Sequence, residues 1–149
     1  MEKKKLLYVL TSYRAYSLIE GLIEKFTEDF NVYLITTYNR KVAEKCKKNF
    51  IKFYPTMMKR SYSPFYDLIS LIHCYILLKK INPDIINFST PKASLIYSTI
   101  SKIIGIKNRI YLIRGFRHES LKGIKKYIQI FCEKISCNFS TKVIALSNS

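Results

Sequence analysis

Asn82-Pro83-Asp84-Ile85-Ile86-Asn87-Phe88-Ser89-Thr90-Pro91-Lys92-Ala93 is the stretch whose reading decides the fold. Asn82-Pro83 stops a helix, because proline lacks the N–H that a helix interior needs and pushes its predecessor toward extended backbone. Asp84–Phe88 is a short apolar run and reads as a strand. Thr90-Pro91 then restarts a helix, with a hydroxyl at the cap and proline at the first helical position. That helix is expected from Pro91 to Ile104, closed by Gly105 as its C-cap. A helix stop, a strand and a helix start in so short a span point to an α/β chain.

The same alternation continues on both sides. Before it, Ser63-Pro64 repeats the cap-and-proline signal, with Asp67 in the first turn where a negative charge is favoured. The helix that follows runs to about Ile81 and is apolar on most sides, so it is expected to be largely buried, with His73 as a packed core residue. Leu6–Thr11 is a continuous apolar run suited to a strand covered on both faces. Tyr16–Glu28 reads as a helix, with Ile19, Leu22, Ile23 and Phe26 at helical spacing. Asn31–Thr37 is a second strand, Tyr38–Asn49 a basic loop with a short helix, and Phe50–Tyr54 a third strand ended by Pro55. After the deciding stretch, Arg109–Ile113 is a strand. Lys122–Phe139 is an amphipathic helix with Ile124, Ile128, Phe131 and Ile135 on one face, and Lys142–Leu146 is the last strand. These elements predict a Rossmann-like open parallel sheet with helices on both faces and right-handed crossovers. There is no internal repeat and no Gly/Ser linker, so residues 1–149 read as a single domain.

Composition narrows the class. The chain has 149 residues and 48% apolar side chains, enough for one packed domain and too many for a disordered chain. Four cysteines (Cys46, Cys74, Cys132, Cys137) include no C-x-x-C pair, and with two histidines (His73, His118) no zinc pattern fits. No metal site is expected, and reduced thiols suit a cytoplasmic protein. Lys3, Lys4 and Lys5 precede an apolar stretch from Leu6 to Leu10, shorter than the roughly 7–15 residues of a secretory signal. The longest apolar run, Leu68 to Leu78, falls short of the about 20 residues that span a bilayer. The first strand is followed by T-S-Y-R-A-Y and not by G-x-G-x-x-G, so no nicotinamide or flavin cofactor is expected.

Charge and the sheet geometry point to candidate residues. The 26 Lys and Arg against 10 Asp and Glu give a net charge of +16. Such an excess suits nucleic acid, an anionic membrane or a phosphorylated substrate, or else reflects a drift toward Ile, Lys, Asn and Tyr. In an open parallel sheet, ligands sit beyond the carboxyl ends of the strands. That rule selects Ser12 and Tyr13 after the first strand, and Ser89, Thr90 and Lys92 after the fourth. It also selects Arg114, Gly115, Arg117, His118 and Glu119 after the fifth, and Ser147 and Asn148 after the last. Thr90 and Lys92 at a helix N-terminus make an anion site, and arginine suits phosphate through its planar fork. His118 is the candidate base, with Glu119 to orient it or to pair with Arg117. Lys45, Lys47, Lys48 and Lys52 form a basic cluster suited to an anionic leaflet.

Taken together, Asn82-Pro83-Asp84-Ile85-Ile86, Thr90-Pro91-Lys92-Ala93, Ile110-Tyr111 with Gly115, and Val143-Ile144-Ala145-Leu146-Ser147 resemble the N-terminal domain of family-4 glycosyltransferases. The likeness is greatest to those of bacterial capsule and O-antigen pathways and extends over nearly the whole chain. It implies the acceptor-binding half of a two-domain GT-B enzyme, retaining and metal-independent. The nucleotide sugar would be held by a second, C-terminal domain or a partner chain, leaving a truncated or split enzyme that is inactive alone. The implied acceptor is a polyprenyl-diphosphate-linked glycan at the cytoplasmic face of the cell membrane, where the chain would sit as a peripheral protein. Glu20 and Glu28 have the seven-residue separation of the family's donor-domain glutamates but lie on the first helix, so the match reads as coincidence. Relatives often carry histidine where this chain has Asn87-Phe88-Ser89 and Arg114. The competing reading is a basic, non-catalytic nucleic-acid-binding domain. It is disfavoured because most of the 12 Tyr and 9 Phe fall on strands and core faces and no RNA- or DNA-binding signature occurs. A response-regulator reading lacks the acidic cluster expected after the first strand.

Overall fold

The structure is a computed structural model, and it describes residues 2–58, 64–114 and 122–146. Six strands, β1 (Lys5–Val9), β2 (Asn31–Thr36), β3 (Lys52–Pro55), β4 (Ile85–Phe88), β5 (Asn108–Ile113) and β6 (Lys142–Ala145), form one sheet in the order β3-β2-β1-β4-β5-β6. Every neighbouring pair is parallel. The helices are α1 (Glu20–Lys25), α2 (Arg40–Lys48), α3 (Pro64–Ile81), α4 (Pro91–Ile104) and α5 (Ile124–Phe139). The order reverses between β1 and β4, which is the crevice where ligands bind in such sheets.

Side chains alternate across the sheet, so β1 serves two cores. Leu7 and Val9 pack with Ile35, Ile86 and Phe88 under Cys74, Leu77, Leu78 and Ile81 of α3 and Ala93, Ile96 and Tyr97 of α4. Leu6 and Tyr8 face the other way, with Val32 and Leu34, against Tyr16, Ile19, Ile23, Val42 and Cys46. A central strand buried on both faces must be apolar at every position, which is why Leu6–Leu10 reads as a continuous run.

Four local expectations are corrected. The first helix is not continuous over Tyr16–Glu28: a 3-10 turn spans Tyr13–Leu18, Ile19 leaves helical geometry at φ −125°, and α1 is short. Phe50 does not open the third strand; it has φ 58° and is 89% exposed, and β3 begins at Lys52. α3 is not largely buried, since Phe65, Leu68, Ile72, Tyr75 and Ile76 are all exposed. His73 is half-buried rather than packed away, with its Nδ1 buried and lacking a hydrogen-bond partner. The helix marked by Thr90-Pro91 and Gly105 keeps the expected bounds, and Gly105 takes the left-handed conformation at φ 88°.

Candidate functional site

The carboxyl edge is organised by Thr11, directly beyond β1. Its backbone N–H donates to Thr90 Oγ1 at 2.8 Å, and the two hydroxyls meet at 2.7 Å. Thr11 Oγ1 also accepts from the backbone N–H of Ala93 in the first turn of α4 at 3.2 Å. The cap of α4 is therefore supplied by Thr11, while the Thr90 side chain makes no cap bond to its own helix. This ties the two strands at the crevice to one helix start. Thr11 was not among the sequence candidates, because its role depends on which strand lies beside β1. Ser12 and Tyr13 come next along the same edge. Ser12 Oγ accepts from the Arg14 backbone N–H at 3.4 Å, and the Tyr13 backbone N–H donates to Thr37 Oγ1 at 3.0 Å.

Arg114 leaves the end of β5 and crosses toward the segment after β1, where its Nη1 donates to the Leu18 carbonyl at 3.0 Å. Its Nε is buried without a hydrogen-bond partner. Burial lowers the Arg114 pKa, an effect opposed by the Tyr8 phenol nearby. The Tyr8 hydroxyl is pushed up to about 12 by burial, with the arginine charge pulling the other way. Asn87 stands beside Tyr8 in the register of β1 and β4, and its Oδ1 is also buried without a partner. Unspent donors and acceptors on buried groups at a crevice are suited to a polar ligand. Together Ser12, Tyr13, Thr90 and Arg114 come to one edge, as their strands require.

Lys92 departs from expectation. It is only 6% exposed, and its Nζ lies 2.5 Å from Asp67 Oδ1 at the start of α3. The ammonium therefore ties the first turn of α4 to the first turn of α3. Gly115, Arg117, His118, Glu119, Ser147 and Asn148 lie outside the described residues. The basic cluster is at the opposite end of the sheet. Lys45, Lys47 and Lys48 are in the last turn of α2, and Lys52 opens β3, so all four sit at the amino edge. Lys45 pairs with Glu20, and Lys52 donates to the Tyr33 hydroxyl at 3.3 Å with its ammonium 5.1 Å from that ring's centre. Among the described residues no cluster of three or more His, Cys, Asp or Glu is placed to hold a metal ion.

A family described as glycosyl transferase 4-like matches residues 5–148. The chain belongs to that family. The capsular polysaccharide biosynthesis glycosyltransferase CapM of Staphylococcus aureus is 32% identical over 150 residues, covering 100% of this chain and 39% of CapM. The UDP-Gal:alpha-D-GlcNAc-diphosphoundecaprenol alpha-1,3-galactosyltransferase of Escherichia coli is 26% identical over 126 residues, covering 81% of this chain and 32% of the relative. This glycosyl transferase 4-like chain thus spans well under half the length of these relatives. Among solved structures, the MurG of Acinetobacter baumannii superposes with a TM-score of 0.68 at 10% identity, covering 99% of this chain and 42% of that one. A UDP-N-acetylglucosamine 2-epimerase superposes at 0.72 with 16% identity, covering 97% of this chain and 42% of its own. At such identities the superpositions establish the Rossmann-like fold alone.

Proposed function

We propose that this chain is the acceptor-side half of a glycosyltransferase that builds a bacterial surface polysaccharide. It moves a sugar from a nucleotide sugar to a lipid-linked acceptor at the cytoplasmic face of the membrane. The observation that carries the reading is the 32% identity to CapM, which spans all of this chain and 39% of CapM. The relative named for transfer to a diphosphoundecaprenol-linked sugar supports the acceptor class. The edge chemistry agrees with it: Arg114 offers a planar fork for diphosphate, and the Ser12, Tyr13 and Thr90 region offers hydroxyls and amides for sugar. In this reading the nucleotide-sugar site lies outside these residues, in a continuation of the chain or in a second polypeptide. His118, Glu119, Gly115 and Arg117 remain the sequence candidates for the loop beyond Arg114.

The test is calorimetry on the 149-residue chain with a short-chain polyprenyl-diphosphate sugar and, separately, a panel of UDP-sugars. The acceptor analogue is expected to bind and the UDP-sugars are not. Arg114→Ala is expected to weaken the acceptor by about 1.5–3 kcal/mol, the range for hydrogen bonds to charged groups. Micromolar binding of a UDP-sugar with no binding of the acceptor overturns the assignment. An unchanged acceptor affinity in Arg114→Ala removes that residue from the site.

A further inference from the structure

Asn87 breaks the rule that the rest of its strand obeys. β4 is paired on both sides, between β1 and β5, and a central strand of a parallel sheet is apolar at every position. Ile85, Ile86 and Phe88 conform, and Asn87 does not. Its side chain is only 8% exposed, and its Oδ1 is buried without a hydrogen-bond partner. A buried carboxamide left unpaired lowers stability, where a leucine or valine would raise it. A residue kept against its local cost points to a task outside folding.

The register defines its surroundings. Asn87 pairs with Tyr8 of β1 and Ile110 of β5, so these three side chains share one face of the sheet. Leu112 and then Arg114 follow Ile110 in steps of two and carry that face past the end of β5. Tyr8 and Arg114 are close enough for each to act on the other's ionisation. Arg114 starts beyond β5, and its Nη1 reaches the Leu18 carbonyl in the segment that follows β1. β4 lies between those two strands, so the arginine side chain crosses over the end of β4 and roofs the face that holds Asn87. Among the described residues the bond to Leu18 is the one hydrogen bond on the guanidinium, which has five donors.

We propose that Asn87 is a specificity-determining residue that reads the sugar of the acceptor at its 2-position and selects a 2-acetamido sugar. The inference rests on the proposed function, in which Arg114 takes the diphosphate. Charged oxygens hold a guanidinium more tightly than a neutral carbonyl does, so a diphosphate in the crevice draws Arg114 from Leu18 and uncovers Asn87. In a sugar diphosphate, C2 adjoins the anomeric carbon, and its substituent is among the ring groups nearest the phosphates. With the diphosphate on Arg114, that substituent comes beside the neighbouring strand, β4. An acetamido N–H supplies the donor that Asn87 Oδ1 lacks. The acetamido methyl meets the apolar remainder of the same face, the Tyr8 ring, Ile110 and Leu112. A 2-hydroxyl can also donate to Oδ1, but it brings no apolar group to bury there, so the acetamido sugar is favoured.

The experiment is calorimetry with three short-chain polyprenyl diphosphates, one bearing N-acetylglucosamine, one bearing glucose and one bearing no sugar. The native chain is compared with Asn87→Leu, which fills the position with an apolar group, and with Asn87→Ala, which leaves it open. Urea unfolding establishes that both are folded, and Asn87→Leu is expected to be at least as stable as the native chain, because the unpaired carboxamide is gone. The native chain is expected to bind the N-acetylglucosamine probe at least about tenfold more tightly than the glucose probe. Both variants are expected to bring the two sugars within about threefold of each other while binding the sugar-free diphosphate as the native chain does. Equal binding of the two sugars by the native chain overturns the proposal and leaves the diphosphate site of the proposed function standing. A preference that survives both substitutions also overturns it, and assigns the carboxamide to an ordered water. So does a loss of equal size for all three probes in both variants, since a purely structural role moves them together. No binding of any of the three by the native chain overturns the proposed acceptor and this inference with it.

Discussion

Thr11 holds the crevice together at the scale of single residues. One hydroxyl accepts from the first turn of α4 and meets Thr90, so its removal leaves the Ala93 amide and the Thr90 hydroxyl without those partners. Thr11→Val keeps the shape and removes both bonds. It is expected to cost about 1–2 kcal/mol in denaturant unfolding, the range for losing a helix cap. A cost near zero would assign the cap to something else. Buried acids make a second residue-scale prediction. The Cys46 thiol is fully buried, and burial raises its pKa from 9.0 to about 11. A group whose folded pKa is raised contributes stability that is whole below the unfolded pKa and lost as pH rises through the folded one. Stability is therefore expected to fall between about pH 9 and about pH 11, with a flatter profile in Cys46→Ala. Denaturant midpoints across that window check it; parallel profiles for the two proteins would rule the thiol out.

Among the elements, the α4–α5 contact is the unusual one. Ser94, Ser98 and Ser101 of α4 are all fully buried, and each hydroxyl donates to a carbonyl of its own helix or its cap. Satisfied in this way, serine behaves as a small side chain and lets a neighbouring helix come close. Ser94 faces the buried Tyr111 hydroxyl, which also lies near Glu133 and Cys137 of α5. Gln129 Nε2 donates to Glu133 Oε1 at 3.0 Å, keeping that carboxylate partnered inside. Ser98→Leu is expected to overfill this region and destabilise by about 1–3 kcal/mol, read from thermal or urea unfolding. A neutral or stabilising result would mean that Ser98 borders free space.

For the whole molecule, stability is expected to be graded across the sheet. β1 is central and its Leu7 and Val9 are fully buried, whereas every residue of β6 is exposed, including Val143 at 43% and Ile144 at 39%. β6 is bonded on one side only, to β5. Its amides are expected to exchange at least about tenfold faster than those of β1 in hydrogen–deuterium exchange of the 149-residue chain. Equal protection would mean that β6 is covered in solution.

The order of elements was legible in the sequence because its signals are local. Thr90-Pro91 and Gly105 bracket α4 at its observed ends, since a proline start and a left-handed glycine stop act through the backbone of adjacent residues. The apolar runs of β1 and β2 likewise announced strands covered on both faces. What the tertiary structure alone decided involves partners far apart along the chain. Lys92 is drawn inward because Asp67, from another helix, meets it. Thr90 gives up its cap to Thr11 because β1 and β4 become neighbours. The inward side of α5 is its polar side because α4 presents serines and β5 presents a tyrosine hydroxyl there. Periodicity marks that a helix has two faces; which of them turns inward depends on the surface it meets.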